Sequence, residues 1–502
     1  MPDSPSLIAT LENFGPIAEG EMELKPLTVF IGPNNSGKSY AALLLYALAR
    51  VLSPAAISGD DLQVAELDPF YPARLRFPPM GEFASGDGLS KELLEFFGNA
   101  KRSPRVARLP IRVKEAFERL LSEYMQSMAP SIEQSLEDYF GVPNASMLKA
   151  ARRVSGAMKI SMGGTKAVRP LFTMEASARQ GGRLRINFEA GNLDTFKLSR
   201  VDREPFFPAG VNHASWVAAW SIIYDLFPQL LLQNGLPTRR VYYLPAARSG
   251  VLQGWQMLAS LAVDTMRRRA GLRPVSVPPL SGVPLDFVQT LLALTARPRP
   301  QKGAESMQAA LGALEKNILR GVVSMRSDSE IGAQLIYESD GLELPVSRAS
   351  SMVAELAPLG LWIKYLLRPG DLLILDEPEA HLHPENQRQV ARVLVRLVRA
   401  GVRVICPTHS SLFVHQISNQ ILASQLGEAA RAEHGYSKED LITSDEVAVY
   451  FFKPEDDGTR IQPVPISNDF GISEESFLPV SEAIGDETYR LSRALEESAV
   501  GG

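Results

Sequence analysis

Residues Gly32, Asn34, Asn35, Ser36, Gly37, Lys38 and Ser39 fall in the run GPNNSGKS, which satisfies G-x-x-x-x-G-K-[ST] at every fixed position. Glycines at those places let backbone N–H groups turn toward a phosphate, and a helix N-terminus just behind them adds a favourable dipole. Lys38 then reaches the β- and γ-phosphates, Ser39 offers a hydroxyl to Mg²⁺, and Tyr40 leads into the helix. A second chemical group ends the apolar run Leu372–Leu375, where Asp376 is placed to hold Mg²⁺ and Glu377 to polarise an attacking water. Thr408-His409-Ser410 follows another apolar run, Val402 to Cys406, so His409 can point at a γ-phosphate. His381 and His383 form an H-x-H pair, yet no third His or Cys lies near, and the loop after Glu377 explains them better than a metal.

These groups need elements to carry them. Leu27–Ile31 is a short β-branched run that meets Gly32, and Tyr40 to Leu52 is rich in good helix formers, which gives strand, glycine loop and helix. From Val113 to Tyr139 apolar residues recur at steps of three and four with Pro130 midway, which predicts a helical hairpin or a kinked helix and not a coiled coil. Alternation from Ala157 to Ser199 predicts a small antiparallel sheet, and a helix follows from His213 to Leu232. Val241 to Leu244 reads as a buried strand, with helical patterns over Val251 to Arg269, Leu285 to Ala296 and Glu305 to Leu319. The remainder is α/β: helix from Ser351 to Leu367, strand Leu372–Leu375, helix Pro384 to Ala400, strand Val402 to Cys406, helix from Ser410, two strands and an acidic helix.

The chain has 502 residues, with 37 Gly and 36 Pro, 45% hydrophobic and 22% charged residues, the composition of an ordinary globular protein of several domains. A net charge of −5 confines any nucleic-acid contact to local basic patches. Cys406 is the one cysteine, which excludes an intrachain disulfide framework and suits a reducing cytosol. With no signal-like start and no apolar run long enough to span a bilayer, the expectation is a cytoplasmic chain without a membrane partner.

In order along the chain, GPNNSGKS, the serine-led SSMVAEL, LLILDEPEAHLHP and THS resemble the Walker A, signature, Walker B, D-loop and H-loop of ABC-type ATPases. ENFGPI with ELKPLTVFIGPNNSGKS, YYLPAARSG and the closing DFGISEESF sharpen the resemblance to the SMC-related and OLD-like AAA ATPases of bacterial DNA repair and phage defence. The resemblance covers the first fifty or so residues, Val241 to Gly250 and most of Leu344 to Arg490, and leaves the middle unaccounted for. It implies an ABC-type P-loop core, a mixed sheet flanked by helices, that sandwiches ATP and Mg²⁺ between two protomers of a homodimer or larger homo-oligomer. Ser351, with Ser350 and Glu355 beside it, would then act in trans on the partner's nucleotide, Glu377 would be the general base and His409 the γ-phosphate sensor. Arg248 is a candidate phosphate contact, set against a structural role closing the strand. The signature lacks the paired glycines of transporters, no Q-loop glutamine is evident, and Glu433, Asp440 and Asp445 do not make a TOPRIM arrangement. The resemblance therefore implies that a nuclease or toxin activity would have to come from a separately encoded effector protein.

The division expected is residues 1–52 and 331–470 for the ATPase core, 53–240 as an insertion, 241–330 as a core strand with a helical subdomain, and 471–502 as an acidic helix. Two stretches free of acids, Lys101, Arg102, Arg105, Arg108, Arg112 and Lys114, then Arg267, Arg268, Arg269 and Arg273, make DNA a candidate partner. The leading expectation is a sensor or scaffold of anti-phage defence. The alternative is a DNA-repair or chromosome-maintenance ATPase acting directly on DNA, and the lack of a long unbroken heptad arm weighs against its SMC version. No N-K-x-D motif points to GTP.

Overall fold

The computed structural model describes residues 6–52, 105–149, 157–164, 171–176, 184–189, 194, 196–197, 226–236, 240–254, 282–296, 305–328, 332–473 and 486–491. The strands used below are β1 (Leu7–Phe14), β2 (Ile17–Leu24), β3 (Leu27–Ile31), β4 (Met158–Gly164), β5 (Phe172–Ala176), β6 (Leu184–Phe188), β7 (Val241–Leu244), β8 (Val322–Asp328), β9 (Gly332–Ser339), β10 (Leu342–Pro345), β11 (Leu372–Leu375), β12 (Arg403–Pro407), β13 (Val447–Glu455) and β14 (Gly458–Pro463). The helices used below are α1 (Lys38–Leu52), α2 (Ile111–Ser127), α3 (Ala129–Phe140), α4 (Phe227–Gln233), α5 (Arg248–Gln253), α6 (Gly282–Ala296), α7 (Glu305–Ala313), α8 (Ser351–Leu361), α9 (Pro384–Arg399) and α10 (Ser411–Ser424).

The fold is mixed α/β. Eleven strands form one sheet in the order β6-β5-β4-β1-β2-β14-β13-β3-β12-β11-β7. From β13 to β7 every pairing is parallel, and from β2 to β6 every pairing is antiparallel, so the sheet has two unlike halves. In the parallel half both faces are covered, as parallel strands require. Alternate residues of β11 divide accordingly: Leu372 and Ile374 pack with α1 and the antiparallel half, and Leu373 and Leu375 pack with the helices of the other face. Helix α9 shows why those helices form. Pro384 sits in its first turn, His383 caps it by accepting from the Glu385 N–H, and Val390, Val393, Leu394 and Leu397 are buried on one face. Arg392 and Arg396 on the same helix pair with buried Asp440, whose carboxyl is held at about 2. A smaller sheet, β10-β9-β8, leads into α8.

Several expectations meet their elements here. The break at Pro130 separates α2 from α3, and β7 and β11 have the ranges read from the sequence. The helix expected to reach Leu367 is α-helical only to Leu361 and winds wider, as a π turn, over Trp362–Leu366. The small antiparallel sheet is not a separate unit, because β4 pairs with β1 and extends the main sheet. Strands β1, β2 and β8 to β10 were not expected. The first part of the helix from His213 and most of that from Val251 lie outside the described residues, as do Lys101, Arg102, Arg267 to Arg269 and Arg273. Of the first basic stretch, Lys114 is engaged with Asp194 at 2.5 Å. Among the described residues no helix is long and apolar enough to cross a membrane.

Candidate functional site

Strand β3 ends at Gly32, whose φ of +139° and closeness to the Phe452 carbonyl, 2.7 Å from where a Cβ would sit, leave room only for glycine. Gly37 is constrained likewise, with φ at +95° and Pro16 2.9 Å from its hypothetical Cβ. Asn34 and Asn35 are exposed on the loop, Asn35 with φ at +60°, while Ser36 is buried. Lys38 opens α1 and is 4% exposed. Its Nζ donates to the carbonyls of Gly32 at 2.9 Å and Pro33 at 2.8 Å, which holds the ammonium in the mouth of the loop. Burial lowers its pKa to about 8, against the pull of Glu377, Asp376 and Glu379.

Parallel pairing of β3, β12, β11 and β7 brings four strand ends to one edge, where α/β sheets place ligands. Asp376 follows β11 there. Ser39 Oγ donates to its Oδ1 at 3.1 Å, and Tyr243 Oη, from the end of β7, donates to its Oδ2 at 2.9 Å. Burial lifts the Asp376 carboxyl to about 6, although both hydrogen bonds work the other way. Glu377 adopts φ of +47°, a strained value for its type, with its N–H donating to the Pro407 carbonyl at 3.0 Å. His409 Nε2 lies 3.6 Å from Glu377 Oε1. Burial and the neighbouring Lys38 depress the imidazole pKa. Tyr40 is half-buried, its ring edge-on to Phe140 at a centroid distance of 4.5 Å, in the wall of a cleft of about 440 Å³ that opens beside Ser39 and Asp376.

The signature residues divide. Ser350 caps α8 by accepting from the Val353 N–H at 3.3 Å, and Ser350 and Ser351 are both exposed. Glu355, grouped with them in the sequence, is 0% exposed, so it cannot touch a second protomer's nucleotide. It faces inward to Arg248, which is also 0% exposed. Arg248 Nε lies 3.0 Å from Glu355 Oε2 while its N–H points at the Glu355 carbonyl, also at 3.0 Å. The rest of the guanidinium donates to the carbonyls of Pro245 (3.0 Å), Asp376 (2.7 Å) and Glu377 (3.2 Å). Arg248 thus stands behind the site as a clip between α8 and the Asp376-Glu377 backbone, and the phosphate contact considered for it gives way to the structural role.

Ser39 and Asp376 supply hard oxygen donors of the kind Mg²⁺ takes from a protein when phosphate and water oxygens complete its shell, so the donor set fits that ion. His381 and His383 lie in the turn between Glu377 and the helix α9. Among the described residues no group of three or more His, Cys, Asp or Glu could hold a metal, and His381 Nε2 instead lies 3.7 Å from Glu355 Oε1.

Residues 288–415, which hold Asp376, Glu377 and His409, match the family described as "AAA domain, putative AbiEii toxin, Type IV TA system". The chain is also similar to the L-cystine import ATP-binding protein TcyN of Bacillus subtilis, 25% identical over 130 residues, 25% of this chain and 49% of that protein. The part of the chain that carries the site is thus similar to ABC-type P-loop ATPases. Similarity reaches the general L-amino acid transport ATP-binding protein AapP of Rhizobium johnstonii, at 24% over 18% of this chain and 30% of that protein. The cell division ATP-binding protein FtsE of Streptococcus pneumoniae matches at 30% over 13% and 30%. The match thus spans less than half the length of each of these relatives. Among solved structures, the SMC head domain from Thermotoga maritima covers 92% of this chain and 99% of that chain at 10% identity, with a TM-score of 0.33. A Smc head domain with an extended coiled coil, bound to the C-terminal domain of ScpA derived from Pyrococcus furiosus, covers 96% and 99% at 9% identity, with a TM-score of 0.38.

Two residues of the candidate site were not singled out from sequence. Glu379 Oε1 accepts from Thr408 Oγ1 at 2.8 Å and from the N–H groups of His409 and Ser410 at 2.5 and 3.1 Å, so it fixes the loop that carries His409. Its place in DEPEAH, two residues past Glu377, is a signal a reader could have used. Tyr243 is the other, and nothing in YYL distinguishes it from Tyr242 except alternation, which sends the two to opposite faces.

Proposed function

We propose that this protein binds ATP with Mg²⁺, hydrolyses it, and assembles with copies of itself around the nucleotide as the sensor or scaffold of a bacterial anti-phage defence system that controls a separately encoded nuclease or toxin. The observation that carries the nucleotide part is the convergence of Lys38, Ser39, Asp376, Glu377 and His409 on one sheet edge. In this reading Ser39 and Asp376 hold Mg²⁺, which when bound draws charge from the β- and γ-phosphate oxygens. Glu377 takes the proton of a water as that water attacks the γ-phosphorus and ADP leaves, and Lys38 and His409 face the charge on the transferred group.

Assembly is supported by Ser350 and Ser351. They are exposed at the start of an 11-residue helix, where backbone N–H groups suit an anion supplied by another molecule. The defence assignment is supported by the matched family, whose description names a toxin of a toxin–antitoxin system. No membrane partner enters this reading, and the cytoplasm is its compartment.

Steady-state ATP hydrolysis with and without double-stranded DNA, with Glu377→Gln as the blank, tests the proposal. Slow turnover indifferent to DNA and absent from the variant is the expected result. Stimulation by DNA that fades with rising salt would replace the sensor reading by direct action on DNA. Absence of nucleotide binding and of turnover would overturn the whole.

A further inference from the structure

We propose that Tyr243 is the positioning residue of the Mg²⁺-holding carboxylate, turning Asp376 so that one oxygen faces Ser39 and the metal while the other is kept occupied; this rests on the nucleotide reading above. Rotation of a carboxylate about its last bond is soft and roughly two-fold, so an unsupported Asp376 would present either oxygen in a range of attitudes. Here the two oxygens have different partners. Tyr243 Oη donates to Oδ2 at 2.9 Å in a buried bond, and Ser39 holds Oδ1 at 3.1 Å.

Tyr243 can do this because it is itself held. Its ring meets Tyr46 of α1 edge-on at 5.3 Å, and Tyr46 meets Tyr139 of α3 edge-on at 5.2 Å. The hydroxyls of Tyr46, at 2.8 Å, and Tyr139 both donate to Asp286 Oδ2 of α6, and Arg50 lies 3.4 Å from Asp286 Oδ1. Four elements thus converge on a rigid aromatic block that ends in one hydroxyl aimed at Asp376. A ligand-supporting hydrogen bond of this sort changes metal affinity about ten- to a hundred-fold when removed.

The test uses the full chain with Tyr243→Phe, which deletes only the oxygen, beside Tyr46→Phe, which deletes a hydroxyl of the same block that does not touch Asp376. Mn²⁺ binding in the presence of a non-hydrolysable ATP analogue, followed by electron paramagnetic resonance, is compared with analogue binding in EDTA. Tyr243→Phe is expected to weaken Mn²⁺ at least ten-fold, raise the Mg²⁺ needed for half-maximal hydrolysis in step, and leave metal-free nucleotide affinity unchanged. Tyr46→Phe is expected to lower the melting temperature without moving Mn²⁺ affinity. Unchanged Mn²⁺ affinity in Tyr243→Phe, or an equal loss in both variants, would overturn the proposal. A wild-type chain that binds the analogue in EDTA but takes up no Mn²⁺ would overturn it too, whereas one that binds no analogue at all would overturn the nucleotide reading beneath it.

Discussion

Ser39 Oγ and Asp376 Oδ1 are 3.1 Å apart, although 337 positions separate them in the chain. The parallel pairings of β3 with β12 and of β12 with β11 make that contact, since each strand delivers its C-terminal end to the same edge. Everything the protein is proposed to do with nucleotide depends on this junction, and its electrostatics are measurable without a ligand.

Asp376 is the first case. Burial lifts its carboxyl from 3.8 unfolded to about 6 folded, so the native state holds the proton more tightly. Stability from this source is complete below pH 3.8 and is lost as the pH rises through 6. The loss amounts to roughly 3 kcal/mol for about two pKa units. Asp376→Asn cannot ionise and escapes it. In EDTA the variant should therefore gain stability relative to wild type between pH 4.5 and pH 8, as measured by urea unfolding, and a constant difference across that range would refute the assignment.

Glu379 fixes the loop after β12 through one oxygen shared by Thr408, His409 and Ser410. Replacing it by alanine leaves those donors without their acceptor, at a cost of about 2–4 kcal/mol for a charged acceptor. We expect Glu379→Ala to lower kcat about ten- to a hundred-fold with little change in KM, because His409 and not the bound nucleotide is displaced. Glu379→Gln retains an acceptor and should fall between. A rise in KM with kcat intact would show that the loop serves binding instead.

The Arg248–Glu355 pair is wholly buried, so breaking it from one side strands a charge. Arg248→Met alone should cost about 3–5 kcal/mol. With Glu355→Leu added, the double variant should cost less than the two single changes together by about 1–3 kcal/mol, which a cycle of urea unfolding curves resolves. Strict additivity would mean that the carbonyl bonds of Arg248, and not its ion pair, hold α8 to the Asp376-Glu377 segment.

What the sequence revealed follows the physics of each signal. Strands β3, β7 and β11 are buried throughout and almost wholly apolar because both sheet faces are covered, and such runs bounded by Gly, Pro or Asp stand out. The phosphate loop and Asp376-Glu377 were legible because their chemistry tolerates few residue types. Strands β1 and β2 were not, since Glu19, Glu21 and Glu23 make β2 read as a polar stretch and β1 gains its second neighbour, β4, from far along the chain. Arg248 and Glu355 were placed near the nucleotide because charged residues beside a motif invite that reading. Their complete burial depends on α8 packing against α5 and could not be read from spacing.

The central claim, that ATP assembles copies of this chain through the exposed α8 N-terminus, is tested most directly by the mass of Glu377→Gln in solution. Sedimentation velocity should be run with Mg²⁺, with and without ATP, beside the double variant Glu377→Gln with Ser351→Arg. The account predicts that ATP at least doubles the mass of Glu377→Gln and that the added arginine abolishes the shift. A chain that binds ATP yet keeps the same mass at every concentration would contradict it.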